Sequence, residues 1–395
     1  MLQRSRGPAR RSRVARLTTG ARRGAVVLAC AGVALLPRPA LPAPGPPAGA
    51  GAGDDGWVSP FWAEPLGRPA RQARVWEERG REDDAEALRR LAGRPTAVWM
   101  PGDGDDPRER VARVVEDAER AGRIPVLVAY NVPHRDCGQY SSGGARDATA
   151  YRAWLARAAE GIGVHRAWVV LEPDAVAHWV SGCLPAEAAR ERPALLAEAV
   201  RTFKARPGVS VYLDAGNPGW IADQGALAEA LRRAGVAEAD GFALNVSNFH
   251  TTAGTLAYGD RLSDRLGGAH YVIDTSRNGN GPYVPPSRDP GKPPGDEAWC
   301  NPPGRALGTP PTTATGDPRV DAFLWVKRPG ESDGACRGAP PAGQWWGEYA
   351  LGLATAAPPA GESAARPPAE STAVPAPQPA PGAAPVPAPT GTPRL

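Results

Sequence analysis

VLVAYNVPHRDCGQYSSGG, residues 126–144, is the stretch from which the fold is read. It opens as an unbroken apolar run and passes into a polar, glycine-loosened loop that carries Tyr130, Arg135, Asp136, Cys137, Ser141 and Ser142. A continuous apolar run suits a strand buried on both faces, as parallel sheets require. Reactive side chains at the carboxyl end of such a strand are what the catalytic rim of a parallel barrel presents. Alone, the segment reads equally well as a strand followed by a disulfide-pinned turn.

The rest of the chain repeats the pattern. Further apolar runs lie at 96–100, 167–171, 209–213, 241–246, 270–273 and 322–326, and segments of helical period at 108–121, 151–162, 187–204 and 225–234 fall between them. Strands alternating with helices predict a parallel sheet covered on both sides, and seven such units suit an α/β barrel. An open doubly wound sheet is the alternative. No G-x-G-x-x-G or P-loop follows any run, which argues against nucleotide binding.

The residues following each run form a consistent set. They are Tyr130-Asn131 leading to Arg135-Asp136, then Glu172-Pro173-Asp174, Asp214-Ala215-Gly216-Asn217, Asn245-Val246-Ser247-Asn248, Asp274-Thr275-Ser276-Arg277-Asn278, and Lys327 through Asp333. One acid after a strand is commonly a helix N-cap. Five carboxylate-bearing ends point instead to a polar cleft. Trp179, Trp220, Trp299 and Trp325 fall in or beside the same ends. Flat rings flanked by carboxylates and amides suit sugars, whose faces are C–H and whose edges are hydroxyl. Trp325 lies inside a run and is equally a core residue. Carboxylates without a Cys–His pair and with few histidines indicate acid/base chemistry, of which glycoside cleavage by two carboxyls is the natural form.

Composition sets the outer limits. Residues 1–43 hold nine arginines and no acid, with one apolar run at 24–36, the order of a secretory signal. That run is short of the roughly 20 residues of a membrane span, so no stable membrane association is expected. The chain carries +4 overall, and without those nine arginines about −5, so its basicity is a targeting feature and no nucleic-acid partner is expected. Residues 44–56 read as a flexible leader, 57–354 as the catalytic domain, and 355–395, rich in Pro and Ala and free of aromatics, as a disordered tail. Cys137, Cys183, Cys300 and Cys336 remain after the signal, an even number that reads as two disulfides. Three pairings are open, the sequential one being the simplest. Neither a metal nor a cofactor is expected, because no two cysteines have the close spacing of a zinc knuckle.

VAYNVPHRDCGQYSSGG, VVLEPDAVA, VYLDAGNPGW, GFALNVSNF, VIDTSRNGNGP, WCNPPGRALG and LWVKRPGESDG resemble, in order and spacing, the motifs of glycoside hydrolase family 6, over about residues 124–354. The resemblance implies a distorted parallel (β/α) barrel of about seven strands, with the active site at their C-terminal ends, that hydrolyses β-1,4-glucan with inversion. It implies Asp174 as general acid and Asp136 as the carboxylate that tunes it and assists the base through water. It implies Asp333 as candidate base, with a water relay through Ser142 or Ser141 as the rival account, and Tyr130 beneath the reacting sugar. It implies substrate contacts at Trp299, Lys327 and Glu331, with Asp214 a supporting carboxylate, and the pairing Cys137–Cys183 and Cys300–Cys336. Trp220 and Asn248, in the loops after the strands, are further candidates for substrate binding. Asn217 departs from the histidine often found there, and the proline-rich stretch 283–298 is longer than in compact members. The short disulfide-bounded segments favour an open cleft and endoglucanase action over exo-acting cellobiohydrolase action. A non-catalytic β-glucan-binding protein is the reading from another class. The expected working form is a secreted monomer.

Overall fold

A computed structural model describes residues 59–284, apart from 103 and 105, and residues 298–356. The expected signal, the 44–56 leader, most of the proline-rich stretch and nearly all of the tail lie outside the described residues.

Seven strands, β1 (Val98–Met100), β2 (Val126–Ala129), β3 (Ala167–Leu171), β4 (Val209–Asp214), β5 (Gly241–Leu244), β6 (His270–Asp274) and β7 (Val320–Leu324), form one sheet in sequential order, every pair parallel. A doubly wound sheet reverses its strand order at a switch point; this one does not. The sheet curls into a half-barrel with helices outside it. Between β1 and β7 the ladder is replaced by two bonds, from Ala97 N to Trp325 O at 3.0 Å and from Trp99 Nε1 to Val326 O at 2.8 Å.

Side chains alternate along the strands as a period of two requires. Val126, Val128, Val170, Tyr212, Ala243, Val272, Ala322 and Leu324 form the inner core. Leu127, Ala129, Val169, Leu171, Val211, Leu213, Leu244 and Ile273 pack outward. The covering helices are α3 (Pro107–Arg120), α4 (Ala148–Ile162), the short α5 (Ala175–Val180), α6 (Ala186–Lys204), α7 (Gln224–Arg233) and α8 (Thr252–Arg265). Beside the gap, α1 (Arg68–Glu77), α2 (Glu82–Ala92) and α9 (Gly347–Thr355) bury Trp76, Leu88, Leu91 and Trp325 in a separate cluster. Trp325 is thus core, 3% exposed, with Nε1 bonded to Thr309 O. Among the described residues no helix is long and apolar enough to cross a membrane.

Candidate active site

The loops beyond the strand ends enclose a cleft of about 980 Å³. Tyr130, Asp136, Ser141, Ser142, Asp174, Trp220, Asn248, Trp299, Lys327, Glu331 and Asp333 all line it, so almost all of the residues singled out from the sequence converge. Asp214 does not reach the wall. It is 1% exposed and lies behind Asp174, where its Oδ1 accepts from the backbone N–H of Asp174 at 2.9 Å and of Gly216 at 3.1 Å. Its position is that of a support for another carboxyl rather than of a sugar contact. Trp179 likewise stays off the cleft, half-buried under Arg233.

Three of the acids read as cleft groups are staples. Glu172 accepts from Asn131 N, Val132 N and Tyr151 Oη, tying the end of β3 to the end of β2 and to α4. Asp274 accepts from Ser247 N, Ser276 N, Val326 N and Lys327 N, joining the ends of β5, β6 and β7. With Asp214 they satisfy backbone donors where the strands splay and the ladder stops, a need as strict as that within the sheet. None of the three is a helix cap, so the choice between cap and cleft missed their task.

Asp174 stands at the start of α5 with φ 71°, and its carboxyl makes no cap bond to that helix. Burial, then the charges of Asp214 and Asp136, raise its pKa well above the ordinary carboxyl range, so the group holds its proton. Asp214 is itself pushed up to about 7, chiefly by burial. Asp136 also lies in left-handed backbone, and its Oδ2 accepts from Ser141 N at 2.6 Å. Burial raises Asp136 above the usual value. The contact is with Ser141 rather than Ser142, and through the backbone rather than a hydroxyl. Arg135 also lines the cleft, with its guanidinium 4.5 Å above the Tyr130 ring, and it bonds Pro101 O, Tyr130 O and Ser141 O.

Asp333 differs from both. Its Oδ1 meets Lys327 Nζ at 3.1 Å, and its Oδ2 meets Arg277 Nη1 at 2.8 Å and Asn301 N at 3.0 Å. Burial would raise it, but the two cations overcome burial and hold it below the ordinary value. Tyr130 keeps a neutral hydroxyl, because burial and then the nearby charges of Asp174 and Asp136 push its ionisation far up. Trp99 packs its edge against Tyr130 at 5.2 Å and also lines the cleft.

Sequence reasoning passed over Trp99, His178, His250 and Arg192, and it placed Arg277 at a strand end without giving it a role. Trp99 was hidden as one member of an apolar run, although it stands one residue from the end of β1. Arg192, 2% exposed on α6, donates to Pro133 O and Ala175 O, fixing the Asp136 loop and the start of α5 to one guanidinium; nothing in its helical surroundings marked it. His178 and His250 line the cleft, and burial first, with Arg192 second, lowers His178 to about 4. Both disulfides have the sequential pairing, Cys137–Cys183 and Cys300–Cys336.

Comparison with known proteins agrees with this geometry. The sequence profile of Glycosyl hydrolases family 6 matches residues 56–357. Endoglucanase A of Thermobispora bispora is 41% identical over 283 residues, 70% of this chain and 58% of that protein. Endoglucanase A of Cellulomonas fimi is 40% identical over 299 residues, 75% of this chain and 61% of that protein. The chain therefore spans about three fifths of the length of these relatives. The endoglucanase Cel6 from Mycobacterium tuberculosis, solved with methyl-cellobiosyl-4-deoxy-4-thio-β-D-cellobioside, superposes with a TM-score of 0.68 at 42% identity, covering 75% of this chain and 97% of that one.

Proposed function

This chain belongs to glycosyl hydrolases family 6, and we propose that it is a secreted inverting endoglucanase that cleaves internal β-1,4 bonds of β-glucan, with Asp174 as general acid. The observation that carries the reading is the burial of the Asp174 carboxyl between Asp136 in the cleft and Asp214 behind it, which raises its pKa well above the ordinary carboxyl range and favours the protonated form. An acid in that state gives its proton to the glycosidic oxygen as the bond breaks. Tyr130 supports the reacting ring from below, and Trp220 and Trp299 offer apolar faces to the neighbouring sugars.

Water is the nucleophile in this proposal. Both oxygens of Asp333 are engaged by cations or a backbone N–H, which leaves neither free to form a glycosyl ester. Its lowered basicity favours a role in electrostatic stabilisation of the oxocarbenium-like transition state. The raised pKa of Asp136 makes it the better proton acceptor, reached from the attacking water by a relay past the Ser141 backbone.

The endoglucanase names of the relatives at about 40% identity and the compact disulfide-bounded segments of 46 and 36 positions support cleavage within the chain. Asp174→Ala is expected to abolish hydrolysis of carboxymethyl cellulose while the folded protein still binds cello-oligosaccharide. Retained turnover refutes the assignment of the acid. Wild-type enzyme is expected to lower the viscosity of that polymer well before much reducing sugar appears; sugar release without a fall in viscosity indicates exo action instead.

A further inference from the structure

His178 has no part in the chemistry above, yet it stands four residues after Asp174, and its backbone N–H donates to the Asp174 carbonyl at 2.8 Å. Residues four apart on a helix share one face, one turn or about 5.4 Å along the axis, and both of these line the cleft. The sheet gives that step a direction. Strands β2, β3 and β4 are neighbours in that order; Tyr130 follows β2, Asp174 follows β3, and Trp220 lies in the loop after β4. With the reacting ring over Tyr130, the sugar that departs as Asp174 gives up its proton lies toward β4. His178 occupies that side: it is 5% exposed and meets the half-buried Trp220 edge-on, with ring centroids 4.9 Å apart. Among the described residues no hydrogen bond or ion pair engages its ring nitrogens. With its pKa lowered to about 4 the imidazole is neutral in ordinary assay buffers, offering one N–H donor and one acceptor nitrogen. A buried polar ring without a protein partner calls for one, and a sugar hydroxyl, which both donates and accepts, matches either nitrogen.

We propose that His178 is a specificity-determining residue on the leaving-group side of the cleft, where its imidazole hydrogen-bonds a hydroxyl of the departing sugar and its edge holds the Trp220 ring against the C–H face of that sugar. The inference rests on the reading of Asp174 as general acid. It ties His178 to one part of the substrate, the sugar just beyond the cleaved bond, and gives it no share in proton transfer. Asn217 leaves this task open, because its Oδ1 is already taken by the N–H of Gly219 at 3.0 Å. The short helix α5 thus carries two functions one turn apart, the acid at its start and a sugar contact at His178. A histidine among the apolar residues of so short a helix shows no periodic pattern, which is why the sequence concealed it.

The test compares two substrates, cellohexaose and β-cellotriosyl fluoride, the second of which places no sugar beyond the bond that breaks. His178→Ala is expected to lower kcat/KM on cellohexaose by about five- to tenfold, the worth of a hydrogen bond, and to leave kcat/KM on the fluoride unchanged. His178→Gln fills much of the same space and keeps a donor and an acceptor, so it folds where Ala does not and is expected to recover most of the loss on cellohexaose. A fall of equal size on both substrates overturns the proposal, because it marks a general disturbance of α5 and Asp174. So does an unchanged rate on cellohexaose, or a Gln variant no better than Ala. Wild-type protein that turns over neither substrate overturns the functional reading and this inference with it, a result distinct from a failure of His178 alone.

Discussion

Asp136, Asp174 and Asp333 are all carboxyls of one cleft, but their neighbours give them different proton affinities. Asp333 is compensated by Arg277 and Lys327, whereas Asp136 has one N–H and no cation in contact with its carboxylate among the bonds described. Replacing Asp333 by Asn leaves the fully buried Arg277 without its anion, and removing one partner of a buried pair costs about 3–5 kcal/mol. Asp333→Asn is therefore expected to lower the melting temperature as well as kcat, while Asp136→Asn lowers kcat with little change in melting; thermal unfolding beside initial rates separates them. In the proposed mechanism Asp174 acts protonated, so activity is expected to decline as pH rises through its pKa, and Asp136 acts ionised, so activity is expected to decline again towards acid. Asp214→Asn removes a negative neighbour, which lowers the pKa of Asp174, and the alkaline limb of kcat/KM is expected to move to lower pH. A loss of rate with the limb unmoved reduces Asp214 to a packing role. Tyr130, Asp136, Asp174, Lys327, Glu331 and Asp333 were legible in the sequence because each follows an apolar run, whereas Trp99, His178 and His250 in the same cleft were not. What the sequence hid was which acids face the cavity, since backbone N–H groups freed by splaying strands leave no mark in the residue pattern.

At the scale of elements, the staples explain where the strands end. The run 322–326 predicts a strand two residues later than the observed β7, because Trp325 and Val326 stay buried after leaving the ladder. Val326 N bonds Asp274 at 3.2 Å in place of a strand neighbour. The same applies to the run 241–246, whose last two residues turn away at Asn245, φ 64°. Helices α3, α4, α6 and α7 fall within a few residues of the expected segments, whereas α5 is too short to show a period and α1, α2, α8 and α9 lay outside the segments singled out. Glu172 tests the staple idea directly. Gln in its place turns one acceptor oxygen into a donor facing backbone N–H groups, a cost of about 1–3 kcal/mol. Burial raises Glu172 from 4.5 to about 7 against the pull of its donors. Its contribution is fully present below the unfolded value and is lost as pH rises through about 7. Urea unfolding is expected to show Glu172→Gln less stable than wild type at pH 5, with the gap narrowing by pH 8; a gap that widens contradicts the sign of this linkage.

For the catalytic barrel as a whole, the parallel order of the sheet gathers all the carboxyl ends on one side and so makes one long cleft out of separate loops. That much followed from the alternation of runs and helices. The incomplete closure between β1 and β7, filled by α1, α2 and α9, did not, because it depends on two bonds between residues more than 220 positions apart. The central claim is that water, admitted under Asp136, attacks as Asp174 protonates the leaving oxygen, with no ester to an enzyme carboxylate. Proton NMR of cellohexaose in the first minutes of hydrolysis, before mutarotation, reads the outcome at the new anomeric centre. The account predicts that the α-anomer appears first and the β-anomer grows in later; an initial β-anomer contradicts it.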